Sequence, residues 1–261
     1  MTAGRTGSPL LTFSPYETAR FGLRIFRASP ASADAPALIE ELRREHVDIA
    51  ILRVPAGAHE LVETISAAGM PSIVADTLVH YAVDLRARAG AASESASLRL
   101  RRANERDAAN LVSMVRQIFA GYPTHYHANP LFDPERILDG YAEWAVRHTE
   151  PNELGRLAWI IDVDGQDVGF SCVEVAADRS TARGVLNGVL PDHRGRGIYR
   201  DMLRAMLARF AADGVQRFVI STQAHNAAVQ RVWISEQLAF ERNESTVHVN
   251  ALLGATLNLN S

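Results

Sequence analysis

Apolar residues recur along the second half of the chain with two periods, and the switches between them mark its elements. Leu98-Arg99-Leu100-Arg101 alternates, which predicts a strand. From Ala108 to Phe119, residues Leu111, Met114, Val115 and Ile118 fall at helical spacing. Asp133-Pro134-Glu135 opens a second helix, with Asp133 as N-cap, Pro134 at the first helical position and an acid in the first turn. Its apolar face is Ile137, Leu138, Tyr141, Trp144 and Ala145. Two apolar runs follow, Leu157–Val163 and Val168–Val175, separated by Asp164-Gly165-Gln166, which predicts a hairpin. Gly184–Leu190 reads as a third strand. After an arginine-glycine stretch, Tyr199, Met202, Leu203, Met206, Leu207 and Phe210 form one helical stripe, and Gly214 stands where that helix should stop. A strand Arg217–Thr222, a helix from Asn226 to about Leu238 and a strand Ser245–Leu252 complete this part.

The front part is simpler. Val47–Val54 reads as a strand, His59–Ala68 as a helix ended by Gly69, and Ser72–Leu85 as a strand. That order repeats the pattern of residues 217–252 and suggests a degenerate repeat, in pattern rather than identity. Residues 87–97 are small, polar and aperiodic, which predicts a linker. The expected division is residues 1–86, a linker at 87–96, and a larger part at 97–261.

Composition narrows the function. The chain has 261 residues, 47% hydrophobic and 22% charged, with a net charge of -3. This is a globular composition with no pull toward nucleic acid or an anionic membrane. No apolar run suits a membrane helix, and the first residues lack the apolar core of a signal peptide, so a cytoplasmic protein is expected. A homodimer stays open. The single cysteine, Cys172, excludes an intrachain disulfide, and it reads as a buried strand residue. All 27 basic residues are arginine, which excludes Schiff-base and Walker lysines. No metal site is expected.

Chemistry concentrates between the third strand and the striped helix, in Val189-Leu190-Pro191-Asp192-His193-Arg194-Gly195-Arg196-Gly197-Ile198. A helix N-terminus offers free N–H groups and a partial positive charge, which suit phosphate oxygens. Gly195 and Gly197 let the backbone approach an anion, and Arg194 and Arg196 add cationic donors. A dinucleotide fingerprint would need a third glycine that is absent. The stretch is expected to cradle the pyrophosphate of an acyl-coenzyme A.

Over roughly residues 97–252 the chain resembles the GNAT N-acyltransferases, whose loop carries Arg/Gln-x-x-Gly-x-Gly/Ala. Arg194 and Gly197 fit that pattern, and Tyr199 replaces its last small residue. The resemblance implies an α/β fold: a mixed, largely antiparallel sheet flanked by helices, preceded here by a degenerate half-domain. It implies that the N–H groups of Arg194, Gly195, Arg196, Gly197, Ile198 and Tyr199 hold the pyrophosphate of acetyl-CoA, the acyl donor. It also implies that Val189 and Leu190 pair with the pantetheine arm and that Asn226 contacts coenzyme A. The front part, from Thr12-Phe13 to Arg20-Phe21-Gly22-Leu23-Arg24, and the segment Phe119 to Trp144 are similar to dTDP-fucosamine acetyltransferases. That likeness implies a small-molecule amine as acceptor, an amino sugar or a nucleotide-linked one. Many GNAT members use a tyrosine seven residues beyond an asparagine as general acid. Here that count from Asn226 reaches Trp233, and a count back from Leu238-Ala239-Phe240 reaches Ser235. Indole cannot protonate a thiolate, whereas Ser235 could orient a water.

Other groups could move protons. His125 and His127 lie in a polar aromatic loop expected to wall the acceptor site, with His125 the candidate base. Asn187 on the third strand could hold a base or a water, and Glu174 on the preceding strand could act through water. His225 and His193 are weaker candidates, a helix-mouth residue and a phosphate neighbour. Two further readings remain: a non-catalytic acyl-CoA-binding or regulatory module, and a GNAT scaffold diverted to thioester hydrolysis or decarboxylation.

Overall fold

The computed structural model describes residues 9–86, 98–150 and 155–252. The expected linker at 87–96 lies outside them. The elements in chain order are β1 (Thr12–Phe13), α1 (Pro15–Phe21), β2 (Ile25–Ala28), α2 (Ala35–Arg44), β3 (Ile49–Pro55), α3 (His59–Ala67), β4 (Ser72–Asp84), β5 (Leu98–Arg102), α4 (Ala108–Ile118), α5 (Pro134–Val146), β6 (Arg156–Val163), β7 (Gln166–Val175), β8 (Thr181–Val189), α6 (Ile198–Ala212), β9 (Arg217–Gln223), α7 (Ala227–Ser235) and β10 (Ala239–Val249). The class is mixed α/β, with largely antiparallel strands flanked by helices, as expected.

The chain forms two compact units that do not follow its linear order. The first takes residues 1–78, 123–136 and 243–261, and the second takes 79–122 and 137–242. A cut at residues 87–96 would miss this, because the chain's last strand returns to the first unit. There β10 runs antiparallel to β3, with Val247 opposite Leu52.

In the first unit the strand order is β1-β2-β3-β10-β4. Alternation along β3 sends Ala50, Leu52 and Val54 to one face, where they join Leu38, Leu42, Leu61 and Ile65 of α2 and α3 in a dry core. The other face carries Arg27, Arg53, Thr246 and His248. Segment 123–136 contributes to this face, with the Phe132 ring 5.3 Å from that of His248. Sequence reading assigned no element before Val47. Yet Leu38, Ile39 and Leu42, all buried, already sit at helical spacing after Pro36.

In the second unit the order is β4-β9-β8-β7-β6-β5. Helix α6 buries Met202, Leu203, Met206, Leu207 and Phe210 on one face, and α4 and α5 bury Leu111, Met114, Val115, Ala142 and Ala145 on the other. The β6–β7 hairpin turns on Asp164 and Gly165, both at positive φ (53° and 83°), as a two-residue primed turn requires. The Asp133 carboxylate accepts the Glu135 N–H at 3.0 Å and caps α5. Cys172 is fully buried and its thiol is pushed well up by desolvation, so it is inert packing.

Helix α7 ends at Ser235, three residues before the expected end, and β10 begins at Ala239 rather than Ser245. Gln237 takes a left-handed conformation (φ 65°). Its N–H donates to Ile234 O and that of Leu238 to Trp233 O, the paired bonds of a Schellman cap, while Leu238 goes into the core. The stop was hidden because glutamine, not glycine, holds the turn. Lengths in the pattern repeat compare closely: β3, α3 and β4 have 7, 9 and 13 residues, and β9, α7 and β10 have 7, 9 and 11.

Candidate active site

The site begins where two parallel strands part. Strand β8 pairs with β9 only from Thr181 opposite Arg217 to Gly184 opposite Ile220. Beyond that level β8 runs on to Val189 and β9 to Gln223 without pairing. A bulge sits at the parting: Cys172 pairs with Leu186 and Val173 with Gly184, so Val185 is unmatched.

The bulge decides which backbone groups are free. Successive residues in an antiparallel ladder turn their N–H and C=O groups to opposite sides. The Leu190 N–H donates to Val168 O at 2.8 Å, so Gly188 and Leu186 also face β7. Asn187 and Val189 therefore turn their backbone groups into the opening. The Val189 carbonyl accepts from Arg194 Nε at 3.3 Å, which leaves its N–H. Leu190 is spent, because its carbonyl also accepts from His193. Of the two residues expected at the pantetheine arm, Val189 offers an open N–H and Leu190 does not, while Asn187, which was not expected there, does.

Next comes the loop. Pro191–His193 makes one 3₁₀ turn, and the Arg194 N–H closes onto Pro191 O at 3.1 Å. Gly195 (φ 76°) and Gly197 (φ 81°) are left-handed, and nothing lies within 4 Å of where their Cβ atoms would be. The first helical bond of α6 runs from the Asp201 N–H to Gly197 O. The N–H groups of Gly195, Arg196 and Gly197 have no acceptor among the described residues, and those of Ile198, Tyr199 and Arg200 precede that first bond. Six consecutive amides are thus open to an anion, from residue 195 rather than 194.

Arg194 is corrected in a second way. Its guanidinium donates to the carbonyls of Val189 and, at 3.0 Å, Ile118. It ties the end of α4 to the end of β8, and the N–H groups that make these bonds are not open to an anion. Arg196 is exposed, and its side chain makes no bond among the described residues.

The side chains around the opening form a chain of contacts. Ser171 Oγ donates to Asn187 Oδ1 at 2.5 Å, which aims the Asn187 NH2 outward. Asn187 is thereby a donor, not a base. Tyr122 Oη donates to Gln223 Oε1 at 2.5 Å and accepts from Asn226 Nδ2 at 3.2 Å. Asn226 also donates to Thr222 Oγ1 at 3.1 Å, and its side chain does not cap α7. Its amide hydrogens bind the protein itself, leaving only Oδ1 for a ligand. Trp233 is buried, and its Nε1–H donates to Tyr199 Oη at 3.1 Å. The tryptophan is therefore no free donor to substrate.

Two other expectations, Ser235 and Glu174, fall away from the opening, and a third, His125, belongs to the other unit. Ser235 Oγ donates to Val232 O at 2.8 Å in its own helix, on the exposed side, so it orients no water. Glu174 pairs in register with Arg156 and Arg183. It lies five residues along β7 from the Gly169–Val189 level, roughly 16 Å at strand rise. His125 belongs to the first unit, where its Nδ1 meets His248 Nε2 at 2.8 Å. The residue is 6% exposed, and burial holds its ring well below the ordinary pKa, with His248, Arg53, Arg27 and His127 adding to the effect. His127 is exposed and caps Thr124 through Nδ1 at 3.1 Å. Exposed His225 stands 6.1 Å, ring to ring, from Tyr122. Among the described residues no group of three or more His, Cys, Asp or Glu could hold a metal.

Sequence reading missed Tyr122, Gln223 and Ser171. Tyr122 and Gln223 stand just beyond the end of α4 and at the end of β9, where element boundaries themselves were the available signal.

A parted pair of parallel strands, a bulge at the parting and a loop of open amides ahead of α6 mark a mixed α/β protein with an anion-accepting loop. A family model described as an acetyltransferase (GNAT) domain matches residues 97–235, more than half of the chain. The chain belongs to the GNAT acetyltransferase family, whose members carry out N-acyl transfer from acyl-CoA. Solved structures agree in fold. A conserved protein of unknown function from Staphylococcus epidermidis aligns with a TM-score of 0.61 at 14% identity, covering 95% of this chain and 94% of its own. A GCN5-related N-acetyltransferase from Sphaerobacter thermophilus aligns with a TM-score of 0.57 at 14% identity, covering 88% and 73%. Another from Kribbella flavida gives 0.52 at 17%, covering 87% and 80%. No curated protein matches the chain significantly. No helix among the described residues is long and apolar enough to cross a membrane.

Proposed function

We propose that the protein transfers an acetyl group from acetyl-CoA to the primary amine of a small molecule in the cytoplasm. An amino sugar, free or nucleotide-linked, is the acceptor class to test first. The observation that carries the donor half is the opening beside β8, with free backbone groups on Asn187 and Val189 and six open amides at residues 195–200. The amides and Arg196 hold the pyrophosphate, and the edge of β8 pairs with the amides of the pantetheine arm. The Val189 N–H serves the arm nearer the loop, and the N–H and side-chain NH2 of Asn187, farther along β8, face the thioester carbonyl and stabilise the oxyanion that forms on attack. Ser171 fixes Asn187 for that task. The acceptor class rests on the family resemblance of the front segment and of residues 119–144. We read the first unit as a half-domain related to the second, on the strength of the repeated strand–helix–strand lengths.

The test is release of free thiol from acetyl-CoA, with and without a panel of amines that includes amino sugars. Amine-dependent release with an acetylated product supports transfer. Amine-independent release means hydrolysis, and tight binding without release means a binding module. Release dependent on polyamines or peptides but not amino sugars would refute the acceptor assignment.

A further inference from the structure

One sheet face of the first unit carries polar groups that its own fold does not satisfy. The register sets Arg53 of β3 opposite Thr246 of β10, and Ile51 opposite both His248 of β10 and Arg27 of β2. Cross-strand partners share a face, so these side chains form two neighbouring rows. Asp76 on β4 joins them, because its Oδ1 accepts from Thr246 Oγ1. Val74, two residues earlier on β4, lies on the same face and is 59% exposed.

The ion pairs of this face are closed to different degrees. Glu17 accepts from Arg27 Nε and Nη2, each at 2.6 Å, and also from Ser14 and Tyr126, so both its oxygens are occupied. The Arg53–Asp76 pair stays open. Its atoms are 3.6 Å apart, and Thr246 stands between them, accepting from Arg53 Nη1 and donating to Asp76 Oδ1. Asp76 Oδ2 is left buried with no partner among the described residues, on a side chain 9% exposed. Arg53 makes no bond among the described residues through Nε or Nη2. His248 Nδ1 is a second buried atom without a partner, on a ring whose Nε2 is taken up by His125. Such atoms are rare in a native fold unless water or a ligand completes them.

Charge decides what completes them. Arg27 and Arg53 repel a cation, while Glu17, Asp76 and the nearby Glu244 repel an anion, so a charged ligand would shed its hydration against an opposing group. The hydrogen-bond demands are mixed. Asp76 Oδ2 needs a donor, Arg53 needs an acceptor, and His248 Nδ1 needs one or the other according to its tautomer. A hydroxyl is donor and acceptor at once. One hydroxyl can bridge Asp76 Oδ2 and Arg53 as Thr246 bridges their other atoms, and a second can reach His248.

We propose that this face of the first unit binds a neutral polyol, a sugar or a cyclitol, whose hydroxyls bridge Asp76 and Arg53 and whose C–H face rests on Val74. The ligand needs no amine and no acyl-CoA, so this site stands apart from the acyl-transfer reading.

The test is calorimetry and ligand-observed NMR on the full chain without CoA. The probes are glucose, galactose and myo-inositol, with acetate and ethylammonium as a small anion and a small cation. Saturable binding of a polyol, and none of either ion, is expected; glucose or galactose identifies a sugar site and myo-inositol a cyclitol site. Asp76→Ala removes a charged hydrogen-bond partner and should weaken that binding about 10- to 100-fold. Val74→Arg, at an exposed position, sets a guanidinium two residues from Asp76 on the same face, where it can supply the missing donor. It should raise Tm and weaken polyol binding at least about tenfold. No saturable polyol binding by the wild type, or preferential binding of acetate or ethylammonium, overturns the proposal. So does polyol affinity unchanged in folded Asp76→Ala. Should that variant fail to fold, unchanged affinity in Val74→Arg overturns it. A chain that binds polyol but releases no thiol with any amine refutes the acyl-transfer reading alone.

Discussion

The pair of histidines in the first unit should make its stability fall at mildly acid pH. His125 Nδ1 and His248 Nε2 are 2.8 Å apart, so one nitrogen must carry a hydrogen and the other a lone pair. Protonating the acceptor ring sets two N–H groups against each other. The surroundings also resist a positive charge. Arg27 from β2 and Arg53 from β3 face the pair, against one buried carboxylate on α1, Glu17, and Asp76 on β4. His248 is fully buried, and desolvation, followed by Arg27, lowers it from 6.5 to about 4. A histidine depressed in the folded state stabilises the fold fully above its unfolded pKa. That stability is lost as pH falls from about 6.5 toward about 4. For His248 alone the loss between about pH 7.5 and pH 5 is about 2 kcal/mol, and His125 adds in the same direction. Denaturant melts across that range would read the loss, and the variant His248→Gln replaces the ring with an amide that does not titrate. Its stability should fall less by about 2 kcal/mol over the same interval. Glu17 is held below its ordinary value despite burial, chiefly by Arg27, so its own loss falls below about pH 4.5 and leaves this window clear. An identical pH slope in wild type and variant would refute the reasoning.

Gly197→Glu should abolish CoA binding, since it puts a bulky anion on the open-amide loop at a φ of 81°; unchanged affinity by calorimetry would sink the loop assignment. Gly169→Ala would press a Cβ into the Gly188 carbonyl oxygen and force β7 from the end of β8. A loss of about 1–3 kcal/mol is expected from melts, together with weaker CoA binding. Arg194→Ala frees the Val189 and Ile118 carbonyls, so thermal melts should show a lower Tm while the salt dependence of CoA affinity stays as in wild type. Arg196→Ala should do the reverse, lowering affinity several-fold and flattening its salt dependence. Ser235→Ala and Glu174→Gln should leave kcat and KM at wild-type values.

Where local signals were strong the sequence could be read directly. The Asp164-Gly165 turn, the Asp133-Pro134 start and the α6 stripe each follow from one or two residues whose conformations have few alternatives. Helix α2 also carries a readable pattern, Leu38, Ile39 and Leu42 after Pro36. The two-unit division was out of reach, because it depends on β10 pairing with β3 some 190 positions away in sequence, and nothing local records that choice. The same limit governs the site. Gly195 and Gly197 announce the loop, but only the ladder phase set by the Val185 bulge shows that Val189 is open and Leu190 is not.

Tyr199 and Trp233 show why residue-by-residue comparison with a family stops short. Taken singly, each is a departure: bulk where a small residue is usual, and indole where a phenol is usual. In the folded chain they are one feature, joined by the Trp233 Nε1–H to Tyr199 Oη bond. The two sites lie 34 positions apart, in α6 and α7, so neither change is interpretable until both helices are packed on the same core.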